Sequence, residues 1–313
     1  MRVPDNHIEE LRTRGFTVVE GFLGADELAA AREALWRLYP QPEAYHADPS
    51  AHPQFAESQF AGLRLFPYAE PALNRLAVHP DLVDLAERFL GTHDLDLYKI
   101  ELWAKYSGAT DYDQPHHRDY GNHSLVVPSL DGRHRQMTTF ILLSDVSEDD
   151  GPTKLVPLEH TRDLPLVPRE LETGAFADEE VSVTGPAGSL MVYRTDVLHR
   201  GSDLAGEHRA RFSMLVDFQE RGPAWQGKMS WPGRALEMGE ALTAMSPRER
   251  SLFGWPPAGS PYWTEQTLRD TAARYPGMDM SPYGLDAVPA APPAPPSAPA
   301  SPKGTRVRAK TSA

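Results

Sequence analysis

The chain has 313 residues, 40% of them hydrophobic, and its 31 Lys+Arg against 44 Asp+Glu give a formal charge of −13. That apolar content excludes global disorder, and the acidic balance argues against a nucleic-acid partner, whose phosphates require a basic face. Cysteine is absent, which excludes disulfides, Fe–S clusters and a thiol nucleophile and leaves His and carboxylates as metal ligands. No apolar run reaches the roughly 18–20 residues of a membrane helix. The opening MRVPDNHIEELRTRGF has no signal-peptide core, so a cytoplasmic location is expected.

The folded part opens with a short strand-like run, FTVVEGF (16–22). In GADELAAAREALWRLY, Leu28, Ala31, Leu35 and Leu38 recur at helical spacing, and Asp26 and Glu27 fall in the first turn, where the helix dipole favours them. A second helix is predicted over HPDLVDLAERFLG, with Pro80 in its first turn, Leu82, Leu85 and Phe89 as its stripe and Gly91 at its end. Beyond residue 93 the pattern becomes one of short strands between turns. The runs are LDLYKIELWAKY, SLVVPSL, QMTTFILLSDV, KLVPL, VSVTG, SLMVYR and RFSMLVDF. Strands after a helical preface predict a β sandwich or barrel with helices packed on one side. The stretch 224–283 is rich in Trp, Pro and Gly, with helices expected at LEMGEALTAM and TEQTLRDTAARY. From residue 286 the chain is a Pro/Ala run ending in Lys303, Arg306, Arg308 and Lys310. This composition predicts a disordered tail over 286–313 behind one folded unit over 1–285.

Residues one apart in extended chain project to the same side, so His-x-Asp can offer two ligands to one ion. The pattern occurs three times, as His46-Ala47-Asp48, His79-Pro80-Asp81 and His117-Arg118-Asp119. The first copy lies in a Pro-bounded loop. The second straddles a helix start, where Asp81 serves as a first-turn carboxylate. The third follows the strand-like LWAKYSG and a polar turn, at a strand end where barrel sites are built. His199, at the end of GSLMVYRTDVLH, is the candidate for a third ligand. Two imidazoles and a carboxylate leave coordination positions open and suit an Fe(II) that activates O2. Downstream, Arg209 and Arg211 open the next strand, and a guanidinium there can fork onto the far carboxylate of a 2-oxo acid. At period two both arginines point the same way, so the strand does not choose between them.

Four stretches in this order resemble the phytanoyl-CoA dioxygenase-like Fe(II)/2-oxoglutarate oxygenases. They are GFTVVEGFLGADELAAAREAL; WAKYSG with HHRDY; TTFILLSDVSEDDGPTKLVPLEH; and GSLMVYRTDVLHRGS with HRARFSMLVDF. The resemblance covers most of residues 8–220 and implies a mainly β fold, a double-stranded β-helix (jelly roll, cupin-like) with flanking helices. It implies Fe(II) held by His117, Asp119 and His199, with 2-oxoglutarate and O2 as co-substrates. With Phe218 as anchor, Arg211 matches the 2-oxoglutarate arginine and Arg209 remains its rival. Lys105 and Thr138 lie on strands that line the cavity and are candidates to assist the cofactor. His160 is read as structural and His116 as pointing away from the site. Leu158-Glu159 departs from the small-residue turn usual in the family before that second His. Related halogenases replace the carboxylate by a small residue, so the presence of Asp119 favours hydroxylation or another oxygenase outcome over halogenation, with hydroxylation of a small molecule the expected reaction.

Two other functions would use the same residues. One is a metal-binding jelly-roll module without catalysis, against which the intact triad and arginine weigh. The other is a zinc-dependent hydrolase or isomerase, which has no use for a buried arginine. Substrate specificity is expected in the loops 111–115 and 122–135 and in the segment FGWPPAGSPYW, with Trp225, Trp231, Trp255 and Trp263 as candidate pocket or packing residues. No basic cluster suited to the phosphates of an acyl-CoA stands in the body of the chain.

Overall fold

A computed structural model describes residues 2–58, 60–109, 113–120, 125–127, 129, 131, 135–166, 170–171, 174–221, 239, 242–244, 246–247, 250 and 255–285. Helix α1 (Asp5–Thr13) precedes strand β1 (Phe16–Val19) and α2 (Ala25–Leu38). The Gly24 N–H donates to Glu27 Oε2 at 3.0 Å, which satisfies one of the open amides at the start of α2. Short helix α3 (Pro42–Ala47) carries His46, so the first His-x-Asp copy ends a helix rather than lying in a loop. After β2 (Arg64–Leu65) come α4 (Pro71–Ala77) and α5 (Pro80–Leu90). The expected stripe Leu82, Leu85 and Phe89 is buried, and Gly91 takes the left-handed φ of +75° that ends the helix. Asp81 stands in the first turn, as expected, and the N-cap is His79, whose Nδ1 accepts from the Asp81 N–H at 3.2 Å.

The remaining strands form two antiparallel sheets. They are β3 (Leu95–Tyr106), β4 (His116–His117), β5 (Gln136–Leu142), β6 (Thr153–Leu155), β7 (Glu170–Leu171), β8 (Val181–Ser182), β9 (Leu190–Arg194), β10 (His199–Gly201) and β11 (Ala210–Glu220). The larger sheet has the order β1-β9-β5-β11-β3-β2 and the smaller β7-β4-β10-β6-β8. With helices packed on one face of the larger sheet, this is the jelly roll implied by the sequence resemblance. Alternation divides the larger sheet cleanly. Leu102, Ala104, Met137, Ile141, Leu190, Val192, Phe212, Met214 and Val216 pack with Leu35, Leu73, Leu85 and Phe89 of the helices. The opposite face turns inward, where Met191 and Tyr193 join Phe16, Leu155, Val183 and Val197. At Gly62 the chain passes so close to β3 that an added Cβ would stand 1.8 Å from the Ala104 carbonyl oxygen, so no other residue fits there.

None of the described residues of SLVVPSL (125–127 and 129) is in a strand. Residues 125–127 dock on a third apolar cluster with Tyr120, Trp255, Tyr262, Leu268 and Tyr275. Helix α6 (Leu158–Thr161) follows β6, and α7 (Glu265–Arg274) lies within the expected TEQTLRDTAARY. Side chains of the C-terminal segment replace a neighbouring strand as hydrogen-bond partners for this backbone. Tyr262 Oη accepts from Val127 N–H at 3.1 Å and donates to Val127 O at 2.8 Å. Tyr275 Oη donates to Leu125 O at 2.8 Å, and Arg274 Nη1 to Val126 O at 3.0 Å. The tail 286–313 and most of LEMGEALTAM lie outside the described residues, as do Trp225, Trp231, residues 111–112 and most of 122–135.

Candidate metal centre

Strand β4 is only two residues long, and β10 runs antiparallel to it with His199 directly opposite His117. Directly opposed residues share a face, so the two imidazoles lie together, their ring centres 4.4 Å apart. Their neighbours His116 and Arg200 turn to the other face. Asp119, two residues on, completes the group: Nε2 of His199 is 3.3 Å and Nε2 of His117 is 3.9 Å from Asp119 Oδ1. One ligand atom from each of the three residues lies within 4.8 Å of the others. All three side chains are largely buried, with 14%, 6% and 6% exposure for His117, Asp119 and His199. Among the described residues no other group of His, Asp and Glu meets this test. His46 instead bonds the Arg209 carbonyl, and His79 pairs with Glu27. His160 lies at the surface beside Glu159.

The surroundings fix how each of the three side chains points. His117 Nδ1 lies 2.9 Å from Pro115 O, and His199 Nδ1 lies 3.2 Å from Val197 O. A carbonyl oxygen only accepts, so each Nδ1 carries the proton and each Nε2 is left to donate its lone pair to a metal. Asp119 Oδ2 accepts a short hydrogen bond from Tyr193 Oη. Burial, and then the Asp119 charge, push the Tyr193 phenol well above its usual pKa, so it stays a donor. Arg118, between the two ligands, points the other way and is pinned by the carbonyls of Asp196 (2.8 Å) and Pro165 (2.9 Å). Tyr193 joins the ligands to a polar row that crosses the inner face of the larger sheet. In register, Tyr193 faces Thr138, Thr138 faces Asp217, and Asp217 faces Lys99. Lys99 Nζ and Asp217 Oδ2 form an ion pair at 2.9 Å with side-chain exposures of 3% and 0%. Burial alone would lower the Lys99 ammonium, but the Asp217, Glu101 and Asp119 charges together more than reverse it. Burial pushes the Asp217 carboxyl up against the pull of Lys99, and the Asp119 and Glu101 charges add to the rise.

Arg211 and Arg209 part company. Arg211 lies on β11 and lines a cavity between the sheets whose wall is Phe140, Leu142, Val146, Val183 and Met191, with Thr153 and Ser213 as its hydroxyls. Lys105 is its directly opposed neighbour on β3. Arg209 precedes the strand, next to His208 at φ +53°, so the alternation that would align it with Arg211 does not reach it. Its side chain is 50% exposed and pairs with Asp150 at 3.3 Å. Thr138 is fully buried in the polar row rather than beside Arg211. Trp255 and Trp263 pack against each other and against Tyr275 and Tyr283. Tyr193, Lys99 and Asp217 were not singled out from the sequence, although polar residues at inward positions of the apolar runs LMVYR, DLYKIEL and SMLVDF were the available signal.

A family model for phytanoyl-CoA dioxygenase (PhyH) matches residues 11–212, a span that holds all three converging side chains together with Arg209 and Arg211. No curated protein matches the chain significantly. Solved structures do. The epimerase SnoN in complex with Fe3+, alpha ketoglutarate and nogalamycin RO is 21% identical with a TM-score of 0.53, over 77% of this chain and 91% of that one. EctD from S. alaskensis, solved with 2-oxoglutarate and 5-hydroxyectoine, is 18% identical with a TM-score of 0.52, over 69% and 76%. HygX from Streptomyces hygroscopicus, with nickel and 2-oxoglutarate bound, is 19% identical with a TM-score of 0.51, over 71% and 88%. Those likenesses speak for the jelly roll, whereas the family match spans well over half of the sequence. On that match, the chain belongs to the phytanoyl-CoA dioxygenase (PhyH) family.

Proposed function

We propose that the protein is an Fe(II)- and 2-oxoglutarate-dependent oxygenase that hydroxylates a C–H bond of a small molecule. His117, Asp119 and His199 would hold the metal, and Arg211 would anchor 2-oxoglutarate. The observation that carries this reading is the convergence of two imidazoles, each presenting Nε2, on one carboxylate oxygen. The donor set fits: two histidines and one carboxylate suit non-haem iron that must keep positions free for other ligands. When bound, the iron and 2-oxoglutarate supply the oxidative chemistry with O2, which no side chain can perform.

The protein's own contributions are orientation and exclusion of water. Hydrogen bonds from Nδ1 to the chain's own carbonyls set the ring planes, and Tyr193 leaves Asp119 Oδ1 as the oxygen directed at the imidazoles. The apolar wall around Arg211 suits the methylenes of a dicarboxylate, and the guanidinium suits its far carboxylate. Arg209, held outside by Asp150, supports the choice of Arg211. SnoN is described as an epimerase, and EctD was solved with a hydroxylated product. The intact Asp119 weighs against halogenation, and hydroxylation is proposed among the oxygenase outcomes that a fold shared with SnoN and EctD allows. The test is succinate release with Fe(II), 2-oxoglutarate and O2, with or without added substrates. Wild type should release succinate and His199→Ala should not. A wild type inert across a broad screen, or a fully active His199→Ala, would overturn the assignment.

A further inference from the structure

The strands that carry the two histidines are fastened from behind by one carboxylate. His116 and Arg200 follow the opposite parity from His117 and His199 and face the outer side of the smaller sheet, where Lys154 of β6 lies opposite Arg200 in register. Glu180, immediately before β8, reaches all three. Its Oε2 is 3.1 Å from His116 Nε2 and accepts from Arg200 Nε at 2.8 Å. Its Oε1 accepts from Arg200 Nη2 at 2.8 Å and lies 3.1 Å from Lys154 Nζ. The Arg200 fork is thus bidentate, the strongest and most direction-setting form of such a contact. Asp113 takes a further guanidinium nitrogen at 2.9 Å, and the Phe176 ring covers His116 edge-on. His116, Glu180 and Arg200 have side-chain exposures of 0%, 6% and 7%, so water hardly competes for the bonds of His116 and Arg200 to Glu180.

Strand β4 needs such a fastening. With two residues, it has one register pair with β10 and two with β7. A rotation of that short segment would carry the His117 ring away from His199, since each ligand is coupled to its back-facing neighbour through a single peptide unit. We propose that Glu180 is a positioning residue of the metal centre. By holding His116 and Arg200 on one carboxylate, it sets the spacing and tilt of His117 and His199 on the opposite face. The inference rests on the three-ligand reading above and assigns a role to a residue that touches neither metal nor co-substrate.

The experiment is anaerobic Co(II) titration followed by visible absorption, on wild type, Glu180→Gln, Arg200→Lys and Arg88→Ala. The last variant loses the contacts of Arg88 with Asp5, Asp84 and the Val3 carbonyl, far along the chain from the site, and serves as a control for general loosening. Glu180→Gln and Arg200→Lys should each weaken Co(II) binding about tenfold, the lower end of the effect of removing a ligand's own hydrogen-bond partner because Glu180 acts through His116 and Arg200, and change the visible bands of the bound ion. Arg88→Ala should bind with the wild-type spectrum. Should Glu180→Gln not fold, Arg200→Lys decides, because it keeps the charge and loses the fork. Binding within about threefold of wild type and with an unchanged spectrum in the variants overturns the positioning role. Equal weakening in Arg88→Ala overturns it as well. A wild type that takes up no Co(II) instead overturns the metal-centre reading itself.

Discussion

Replacing Lys99 by Met tests whether the polar row is held together by charge. Methionine fills much the same volume, so packing changes little, but Asp217 keeps a fully buried carboxyl beside Asp119 and Glu101 with its cation gone. Breaking a buried pair in this way costs about 3–5 kcal/mol. The carboxyl has an escape, which is to take a proton. Protonating a group with an unfolded pKa of about 3.9 costs about 1.4 kcal/mol per pH unit above that value, hence about 5 kcal/mol at pH 7.5 and about 1.5 kcal/mol at pH 5. That sum caps the penalty. The sign follows from the raised folded pKa: the variant binds a proton on folding, so it loses stability as pH rises and recovers it as pH falls. Because burial raises the wild-type carboxyl to about 7, both proteins take up the proton below that pH, and urea unfolding at about pH 6, 7.5 and 9 should give a small deficit at the bottom of the range that grows by at most about 1.4 kcal/mol per pH unit above about 7. Lys99→Met/Asp217→Leu should regain most of the loss at high pH. A deficit that is constant with pH, or one that grows in acid, refutes the argument.

Further tests address the other elements. Arg211→Ala should raise the apparent KM for 2-oxoglutarate at least about tenfold, while Arg209→Ala, which loses only a half-exposed contact with Asp150, should stay within about threefold. The reverse ranking would reassign the anchor. Tyr262→Phe leaves the Val127 N–H and carbonyl without their shared hydroxyl and should cost about 1–3 kcal/mol in urea unfolding. A loss below about 0.5 kcal/mol would show that water replaces it. Glu180 gives the acid limb. Burial alone would raise its carboxyl, but the Arg200 and Lys154 contacts more than reverse that and take it down to about 2. A depressed acid stabilises above its unfolded pKa and loses that contribution as pH falls towards the folded one. Wild type should therefore lose about 1–3 kcal/mol between about pH 4.5 and 2, with Lys154 in partial contact with solvent reducing the effect. Glu180→Gln should show a flatter curve over that range.

The sequence made parts of this legible because local rules and tertiary demands agreed there. The α5 stripe and its terminal glycine, and the long β3 and β11, follow from periodicities that the packed structure also requires. The nearness of His117 and Asp119 follows from the local His-x-Asp spacing, whereas His199 comes from another strand and meets them only through the pairing of β10 with β4. SLVVPSL reads as a strand and its described residues form none, because their partners, Tyr262, Arg274 and Tyr275, lie more than a hundred positions away and no property of the run itself distinguishes a docked segment from a strand. Arg209 and Arg211 part because β11 begins at Ala210, and the sequence pattern, in which both fall at period two, does not mark that start. Glu180 stayed invisible for a related reason: a glutamate in the acidic run DEE reads as a solvated face until the fold brings two cations and an imidazole to it.

Tyr262 and Tyr275 have a consequence for which parts of the chain must come together. They hold the backbone of Val127 and Leu125, so that stretch is kept in place by side chains encoded far downstream. A chain cut short before Tyr262 would keep every strand of both sheets and still lose the partners of that backbone.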